Sequence, residues 1–274
     1  MADRIRVATL NIWCRHGDWP ARRDVLREGF KQLRPDLVAL QETVVDEAGD
    51  QVREIFGDEY AVLHQGRRTP EGVGCSVVSR WPAVRVEEID LCVTERVNPQ
   101  DFPGRSTAAE FETPLGSVLF VNHKPNWQVG YERERELQAL GVARWIDELA
   151  ADRDDLHVVL AGDFDARPET GGVRFLTGRQ SLADYSVNYQ DVWEMARPAE
   201  DGHTFTIENP SIVAEADWSR IPPRRIDYIM VRCDDRGPTL RIHSADRIFD
   251  TPTEGVHGSD HFGVTADLES LTSN

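Results

Sequence analysis

Gly258-Ser259-Asp260-His261-Phe262 runs straight into Gly263-Val264-Thr265-Ala266-Asp267-Leu268, an apolar strand pattern entered from a carboxylate and an imidazole set side by side. Alone, the Ser-Asp-His step fits a loop cap followed by a solvated histidine. Three other stretches repeat its form. Ile5-Arg6-Val7-Ala8-Thr9-Leu10 stops at Asn11, Leu37-Val38-Ala39-Leu40 stops at Gln41-Glu42, and His157-Val158-Val159-Leu160-Ala161 stops at Gly162-Asp163-Phe164-Asp165. Short Val/Leu-rich runs bounded by polar and turn residues are the pattern of buried strands. In α/β architectures, ligands collect where strand ends and their loops converge. Endings that supply Asn, Glu, Asp-x-Asp and Asp-His point to metal and phosphate chemistry at one such place.

The intervening sequence predicts helices and hairpins in alternation. Val25, Leu26, Phe30 and Leu33 share a helical face within 21–33, which Pro35 closes. A polar helix is expected near 46–56, strands over 74–79 and 84–91, and a hairpin of 108–112 with 117–121 across Pro114-Leu115-Gly116. The longest helical pattern is 131–149, with Leu137, Leu140, Ile146 and Leu149 on or near its apolar face. A further helix is expected after Pro168, and late strands over 226–231 and 262–268. This interleaving predicts an α/β protein with more than one sheet. No linker, repeat or low-complexity tract interrupts it, so one domain over 1–270 with a short tail over 271–274 is expected.

With 274 residues the chain can bury a sizeable core. Its formal charge of −17, from 48 Asp and Glu against 31 Lys and Arg, repels nucleic acid at long range. A bound divalent ion and a few arginines can reverse that field inside a cleft. Nucleic acid is therefore disfavoured as a partner without being excluded. Cys14, Cys75, Cys92 and Cys233 lie far apart with no Cys-x-x-Cys pair, a spacing that suits reduced, packed thiols. The apolar runs are too short to span a bilayer, and a strand pattern opens within four residues, leaving no room for a signal peptide. A cytoplasmic protein without a transmembrane segment is expected.

In order, the chain gives Leu10-Asn11, Gln41-Glu42, Asn122-His123, Gly162-Asp163-Phe164-Asp165, Arg225-Ile226-Asp227-Tyr228 and Ser259-Asp260-His261. This ordered set resembles the endonuclease/exonuclease/phosphatase superfamily, the metal-dependent group that includes deoxyribonuclease I, apurinic endonucleases, inositol polyphosphate 5-phosphatases and neutral sphingomyelinases. The resemblance spans Asn11 to His261, nearly the whole chain. It implies a four-layer sandwich of two mainly antiparallel or mixed β-sheets flanked by helices, with a cleft at the strand ends. It also implies Mg²⁺, with Mn²⁺ as substitute. The activity implied is hydrolysis of a P–O bond, in a phosphodiester or a phosphorylated small molecule, by an activated water. The alternatives are an endo- or exonuclease acting on DNA or RNA, and a non-catalytic binding module on the same fold.

A phosphodiester is anionic and repels hydroxide, so its hydrolysis needs charge neutralisation, an aligned water and stabilisation of the leaving oxygen. Mg²⁺ prefers oxygen ligands and keeps several waters. On the resemblance, Glu42 is the principal metal ligand, Asn11 an amide ligand or anchor beside it, and Asp260 a second group that binds metal or orders the site. His123 and His261 would flank the scissile phosphate and donate to its non-bridging oxygens. Asp227 would pair with His261 and favour the imidazolium, and Asp163 would hold or deprotonate the attacking water. Softer candidates are Arg105 and Lys124 for substrate phosphate, Trp127 with Trp13 for an aromatic wall, and Glu71 as the carboxylate that orients His123. His203 is a rim candidate.

One position departs from the family pattern. Where Gly-Asp-x-Asn is usual, Asp165 replaces the Asn, and an ionised carboxylate accepts where an amide can donate. Either Asp165 is protonated when substrate binds, or it holds a second metal, or the phosphate sits differently; the metal role is the expectation. Competing chemistries fit poorly. His257 and His261 are spaced i,i+4, but Gly258 and Ser259 lie between them with no Glu, so a helical zinc site fails. No Gly-x-Ser-x-Gly elbow and no phosphate-binding Walker loop is present.

Overall fold

The computed structural model describes residues 3–100, 104–214, 218 and 220–271. Its first half runs β1 (Arg4–Asn11), α1 (Trp19–Leu33), β2 (Leu37–Asp46), β3 (Gly49–Asp50), α2 (Gln51–Phe56), β4 (Ala61–His64), β5 (Val73–Ser79), β6 (Arg85–Asp90), β7 (Arg105–Thr113) and β8 (Gly116–Asn122). The second half runs α3 (Glu132–Leu149), β9 (His157–Asp163), α4 (Gly171–Leu176), β10 (Tyr189–Asp191), α5 (Val192–Ala196), α6 (Ser211–Ala214), β11 (Asp227–Asp234), β12 (Gly237–Pro238), β13 (Arg241–Ile248) and β14 (Gly263–Glu269). Of the expected tail, residues 272–274 lie outside the described residues.

The strands form two seven-stranded sheets, β13-β14-β1-β2-β5-β4 with β3 on β2, and β10-β11-β9-β8-β7-β6 with β12 on β11. Each sheet holds one parallel pair, β1 with β2 and β8 with β9, among antiparallel ladders. The sheets pack face to face: Val7, Ala39 and Val77 of the first meet Phe111, Phe120, Val159 and Ile229 of the second. On the outer face of the first sheet, Ala8, Leu10 and Leu40 bury against Leu26 and Phe30 of α1 and Ile55 of α2. On the outer face of the second, Leu119, Val158 and Leu160 bury against Val142 and Ile146 of α3 and Val173 of α4. The four-layer sandwich is thus present. Strands covered on both faces read as continuous apolar runs rather than alternating ones, which is why the central strands stand out in the sequence. Each such Val or Leu contributes about 1.5–3 kcal/mol by leaving water.

Local chemistry sets the element ends. Asp18 caps α1 by accepting from the Ala21 N–H at 3.2 Å, and Arg34 ends it in the left-handed region before Pro35. The helix expected near 46–56 begins only at Gln51. The Asp46 carboxylate accepts from the Ala48 and Gly49 N–H groups and forms a turn, and Asp50 caps α2 through the Val52 and Arg53 N–H groups. β2 likewise does not stop at Glu42: it continues to Asp46 past a bulge between Leu40 and Thr43. The short strands β4 and β10, and the edge strand β13, have no counterpart in the sequence reading. β13 is half exposed and mixes Arg, His, Ser and Asp with its apolar residues, as an edge strand tolerates. Among the described residues no helix is long and apolar enough to cross a membrane.

Candidate active site

Strand register gathers the functional segments at one end of the sandwich. Asn11 lies opposite Gln41, Asn122 opposite Ala161, and Asp163 opposite Asp227. His261 precedes β14, which runs antiparallel to β1. Directly beneath, a polar seam joins the sheets. The Asn122 amide donates to the carbonyls of Leu40 and Ser76 at 2.9 Å each, and its own oxygen accepts from Gln41 at 2.8 Å. All three groups are buried, so losing Asn122 would leave unsatisfied partners at about 1–3 kcal/mol each. At Gly162 (φ +152°) a Cβ would fall 1.9 Å from the His123 carbonyl oxygen, so only glycine lets β9 deliver Asp163 this close to β8.

Glu42 sits at φ +54° in the β2 bulge, and Trp13, Cys14 and Asp165 also have positive φ. Non-glycine residues in this region concentrate where a fold aims side chains at a site. Asn11 Nδ2 donates to Glu42 Oε1 and to Asp163 Oδ2, both at 2.9 Å, while Asn11 Oδ1 accepts from the Trp13 N–H at 2.9 Å. Asn11 thus anchors two carboxylates through its amide N–H groups. The Lys124 ammonium lies 2.6 Å from Asp163 Oδ2, touches Asp165 Oδ2, and stands 3.8 Å from Glu42 Oε1. Burial works against its charge, but these three carboxylates hold its pKa well above the lysine range.

His261 Nδ1 is 3.0 Å from Asp227 Oδ2, and its Nε2 is 4.0 Å from Asp163 Oδ2. Burial opposes the imidazolium, yet Asp227 and Asp163 raise its pKa to about 10. Burial pushes the Asp227 carboxyl upward, and the imidazolium pulls it back. Burial would also raise Asp163, but Lys124, His261 and Asn11 outweigh it and hold that carboxyl well below the usual range. Asp260, buried and opposed by His261 but aided by Glu42, is pushed up to about 7. The result is one site with a fixed anion, a fixed cation and a carboxyl poised near neutrality.

Metal fits this donor set. Glu42 and Asp260 both line the cleft, carry like charge, and are the kind of oxygen donors a hard divalent ion takes. Asp163, Asp227 and His261 also place ligand atoms within 4.8 Å of one another, close enough to hold an ion. There, however, Nδ1 of His261 and Oδ2 of Asp227 already satisfy each other.

The cleft encloses about 420 Å³ and brings Glu42, Lys124, Asp165, Asp260 and His261 together with Trp13, Trp127 and Glu71 on its walls. Other expected residues fall elsewhere. Arg105 does not reach the cleft; its guanidinium pairs with Glu88 at 2.9 Å. His123 is 1 % exposed and lies under the wall, its Nδ1 2.7 Å from the Ser106 hydroxyl and its ring edge-on to Phe164. Burial and Lys124 lower its pKa to about 3, so it is neutral. It thus lies beneath the cleft wall, and its hydrogen-bond partner is the Ser106 hydroxyl rather than the exposed Glu71. Asp165, expected at a second metal, lines the cleft and contacts the Lys124 ammonium.

Three contributors were not anticipated. Ser259 donates to the Asn11 carbonyl at 2.6 Å, coupling the β14 loop to β1. Buried Arg22 donates to the carbonyls of Gly258 at 3.2 Å and His16 at 2.6 Å, and contacts that of Ile12, pinning the loops around the site. Arg224 lines the cleft with its guanidinium 4.9 Å from the Phe205 ring. Ser259 sits inside the Ser-Asp-His motif and could have been read from it. The arginines are marked by tertiary placement alone.

The sequence signature of the Endonuclease/Exonuclease/phosphatase family matches residues 8–261, and the chain belongs to that family. Its members are divalent-metal-dependent phosphoesterases or nucleases. A Caenorhabditis elegans protein named "Putative neutral sphingomyelinase" is 23% identical over 301 residues, covering 97% of this chain and 66% of that protein. The chain thus spans just under two thirds of that relative's length. The structure of D. rerio TDP2 complexed with single strand DNA product superposes with a TM-score of 0.76 at 17% identity, covering 98% of this chain and 100% of that one. The human Nocturnin catalytic domain with bound sulfate anion gives 0.72 at 19% identity, covering 98% and 94%. At these identities the likeness is one of fold.

Proposed function

We propose that this protein hydrolyses a P–O bond of a phosphodiester or phosphorylated small molecule by attack of an activated water, with Mg²⁺ as its metal and Mn²⁺ as substitute. The observation that supports it best is the buried Asp227–His261 pair, whose imidazolium shares the cleft with Glu42 and Asp260. Glu42 and Asp260 would hold the metal, which when bound neutralises phosphoryl charge as a Lewis acid. His261, charged across the physiological range, donates from Nε2 to a non-bridging oxygen and stabilises the charge that develops there. Asp163 already accepts from Asn11, Lys124 and the Asp165 N–H. Its low basicity makes it an orienting acceptor for the attacking water more than a sink for its proton. Asn11 keeps Glu42 and Asp163 in register, and Trp13 and Trp127 wall the group attached to the phosphate.

A nuclease acting on single strands is the second reading, favoured by the likeness to a fold neighbour that carries single-stranded DNA. The net charge of −17 weighs against a duplex substrate. The presence of Glu42 and His261 in one cleft, with Asp163 buried 4.0 Å behind His261, weighs against a binding module. Four unpaired cysteines support a reducing, cytoplasmic setting. The test is a panel of phosphomonoesters, phosphodiesters and lipid headgroup esters beside single-stranded, duplex and RNA oligonucleotides, each with Mg²⁺ and Mn²⁺. Turnover of small diesters above every oligonucleotide supports the first reading, and the reverse order supports the second.

A further inference from the structure

We propose that Arg224 forms a second anion site beside the scissile position, so that the preferred substrate is a phosphoester bearing a further phosphate or carboxylate near the hydrolysed bond. This deepens the hydrolytic reading above and rests on it.

The cleft is short of free positive charge. Glu42, Glu71, Asp165 and Asp260 line it, Lys124 is spent on Asp163 and Asp165, and His261 is held by Asp227. Arg224 is different. Among the described residues its side chain has no hydrogen bond or ion pair, and its Nε is buried without a partner. A buried N–H left unmade is costly, and such exceptions call for a ligand or another specific cause.

The arginine is also preorganised. Its N–H donates to the Phe205 carbonyl at 2.9 Å, and its carbonyl accepts from Thr204 and Phe205, so its backbone is clamped. Its guanidinium packs on the Phe205 ring, and that ring lies 4.9 Å from the His261 ring and 6.4 Å from Trp218. Arg224 therefore belongs to the wall that carries His261, yet no hydrogen bond joins the two. A planar guanidinium with a fixed stem offers the paired donors that phosphate and carboxylate accept bidentately. A role only as counter-charge to Asp165 is already filled by Lys124, which touches that carboxylate.

The test compares two 4-nitrophenyl phosphodiesters with saturating Mg²⁺: thymidine 5′-(4-nitrophenyl phosphate), and the same ester carrying a 3′-phosphate. Wild type should prefer the 3′-phosphorylated ester by roughly tenfold in kcat/KM, the scale of one charged hydrogen-bonded contact. R224Q should bring that ratio close to one, mainly through KM for the phosphorylated ester. R224K, which keeps the charge but loses the planar fork, should retain part of it. A thermal melt of each variant separates loss of recognition from loss of fold. An equal rate on both esters in wild type, or a ratio that survives in R224Q, overturns the proposal. Hydrolysis of neither ester by folded, Mg²⁺-loaded wild type would instead remove the hydrolytic reading, and this site with it.

Discussion

The Lys124 ammonium lies 2.6 Å from Asp163 Oδ2 and in contact with Asp165 Oδ2, so a single buried lysine holds both carboxylates of the Asp-x-Asp turn. That pairing accounts for the departure from the family pattern. A carboxylate is tolerated where an amide is usual because a permanent cation sits beside it. Burial and Asp163 still push the Asp165 carboxyl upward against Lys124.

Breaking this pair has a defined signature. K124M leaves two buried carboxylates without their cation, a loss of about 3–5 kcal/mol for a broken buried pair. Its metal-free melting temperature should fall by roughly 10 °C, given about 2–4 °C per kcal/mol at this chain length. D165N in the K124M background should recover part of the loss, because an amide needs no counter-ion. D165N alone should bind as many Mn²⁺ ions per chain as wild type by calorimetry. A K124M melt equal to wild type, or a D165N variant that binds fewer ions, would show that the lysine does not have this role.

The His261–Asp227 pair makes stability fall as pH rises. Asp227 and Asp163 lift the imidazole from 6.5 to about 10 against burial, so the folded state binds a proton that the unfolded state has lost. This contribution is fully present below pH 6.5 and disappears as pH passes about 10. Melting temperatures of the metal-free protein should decline over that window. The decline should be shallower in D227N, where the ring has lost its nearest anion. Above pH 9 the thiols of half-buried Cys14 and buried Cys75, both pushed up by burial, add in the same direction, so the difference between wild type and D227N is the diagnostic quantity. Parallel profiles would remove Asp227 from this role.

Metal binding should release protons near neutrality. Asp260 is pushed up to about 7 by burial and Glu42, and a carboxylate must be ionised to serve as a ligand. Mn²⁺ affinity should weaken as pH drops below 7. The heat of titration should also depend on the ionisation enthalpy of the buffer. D260N should abolish the buffer dependence and weaken binding, and E42Q should weaken binding while keeping it. An affinity independent of pH from 6 to 8 would place the metal elsewhere.

Gly162 ties fold to site. A Cβ there meets the His123 carbonyl oxygen at 1.9 Å, so G162A must push β9 away from β8 and carry Asp163 off its partners. The variant should lose both stability, by more than about 1 kcal/mol, and nearly all turnover. A folded, fully active G162A would mean that the approach of the two strands is not required.

The fold was legible because its central strands are buried on both faces and meet polar residues in a fixed order, at their ends in β1 and β9 and at a bulge in β2. Those positions marked Glu42, Asp260 and His261, which line one cleft, and Asn11 and Asp163, which are buried beside it. What stayed hidden depends on packing across distant segments. Lys124 follows a strand end, where lysine usually points to solvent, yet it is 7 % exposed because Glu42, Asp163 and Asp165 surround it. His123 occupies the expected strand end but turns under the wall to Ser106. Arg105 carried the expected charge beside it, but the β6–β7 ladder sets it near Glu88, away from the cleft. The Glu42 bulge is a backbone excursion within an apolar strand, and no residue type in Gln41-Glu42-Thr43 announces it.

The central claim is that Glu42 and Asp260 with metal, and His261 with Asp227, together hydrolyse a phosphoester. It is tested most directly by following bis(4-nitrophenyl) phosphate hydrolysis in wild type and H261A, first after exhaustive chelation and then with Mg²⁺ restored. Wild type should be inactive when metal-free and recover fully with Mg²⁺. H261A should melt below wild type, because Asp227 loses its buried partner, yet stay folded and bind metal at assay temperature while turning over roughly 10²–10⁴-fold more slowly. Full activity in protein shown to be metal-free, or wild-type turnover by folded H261A, would contradict the account.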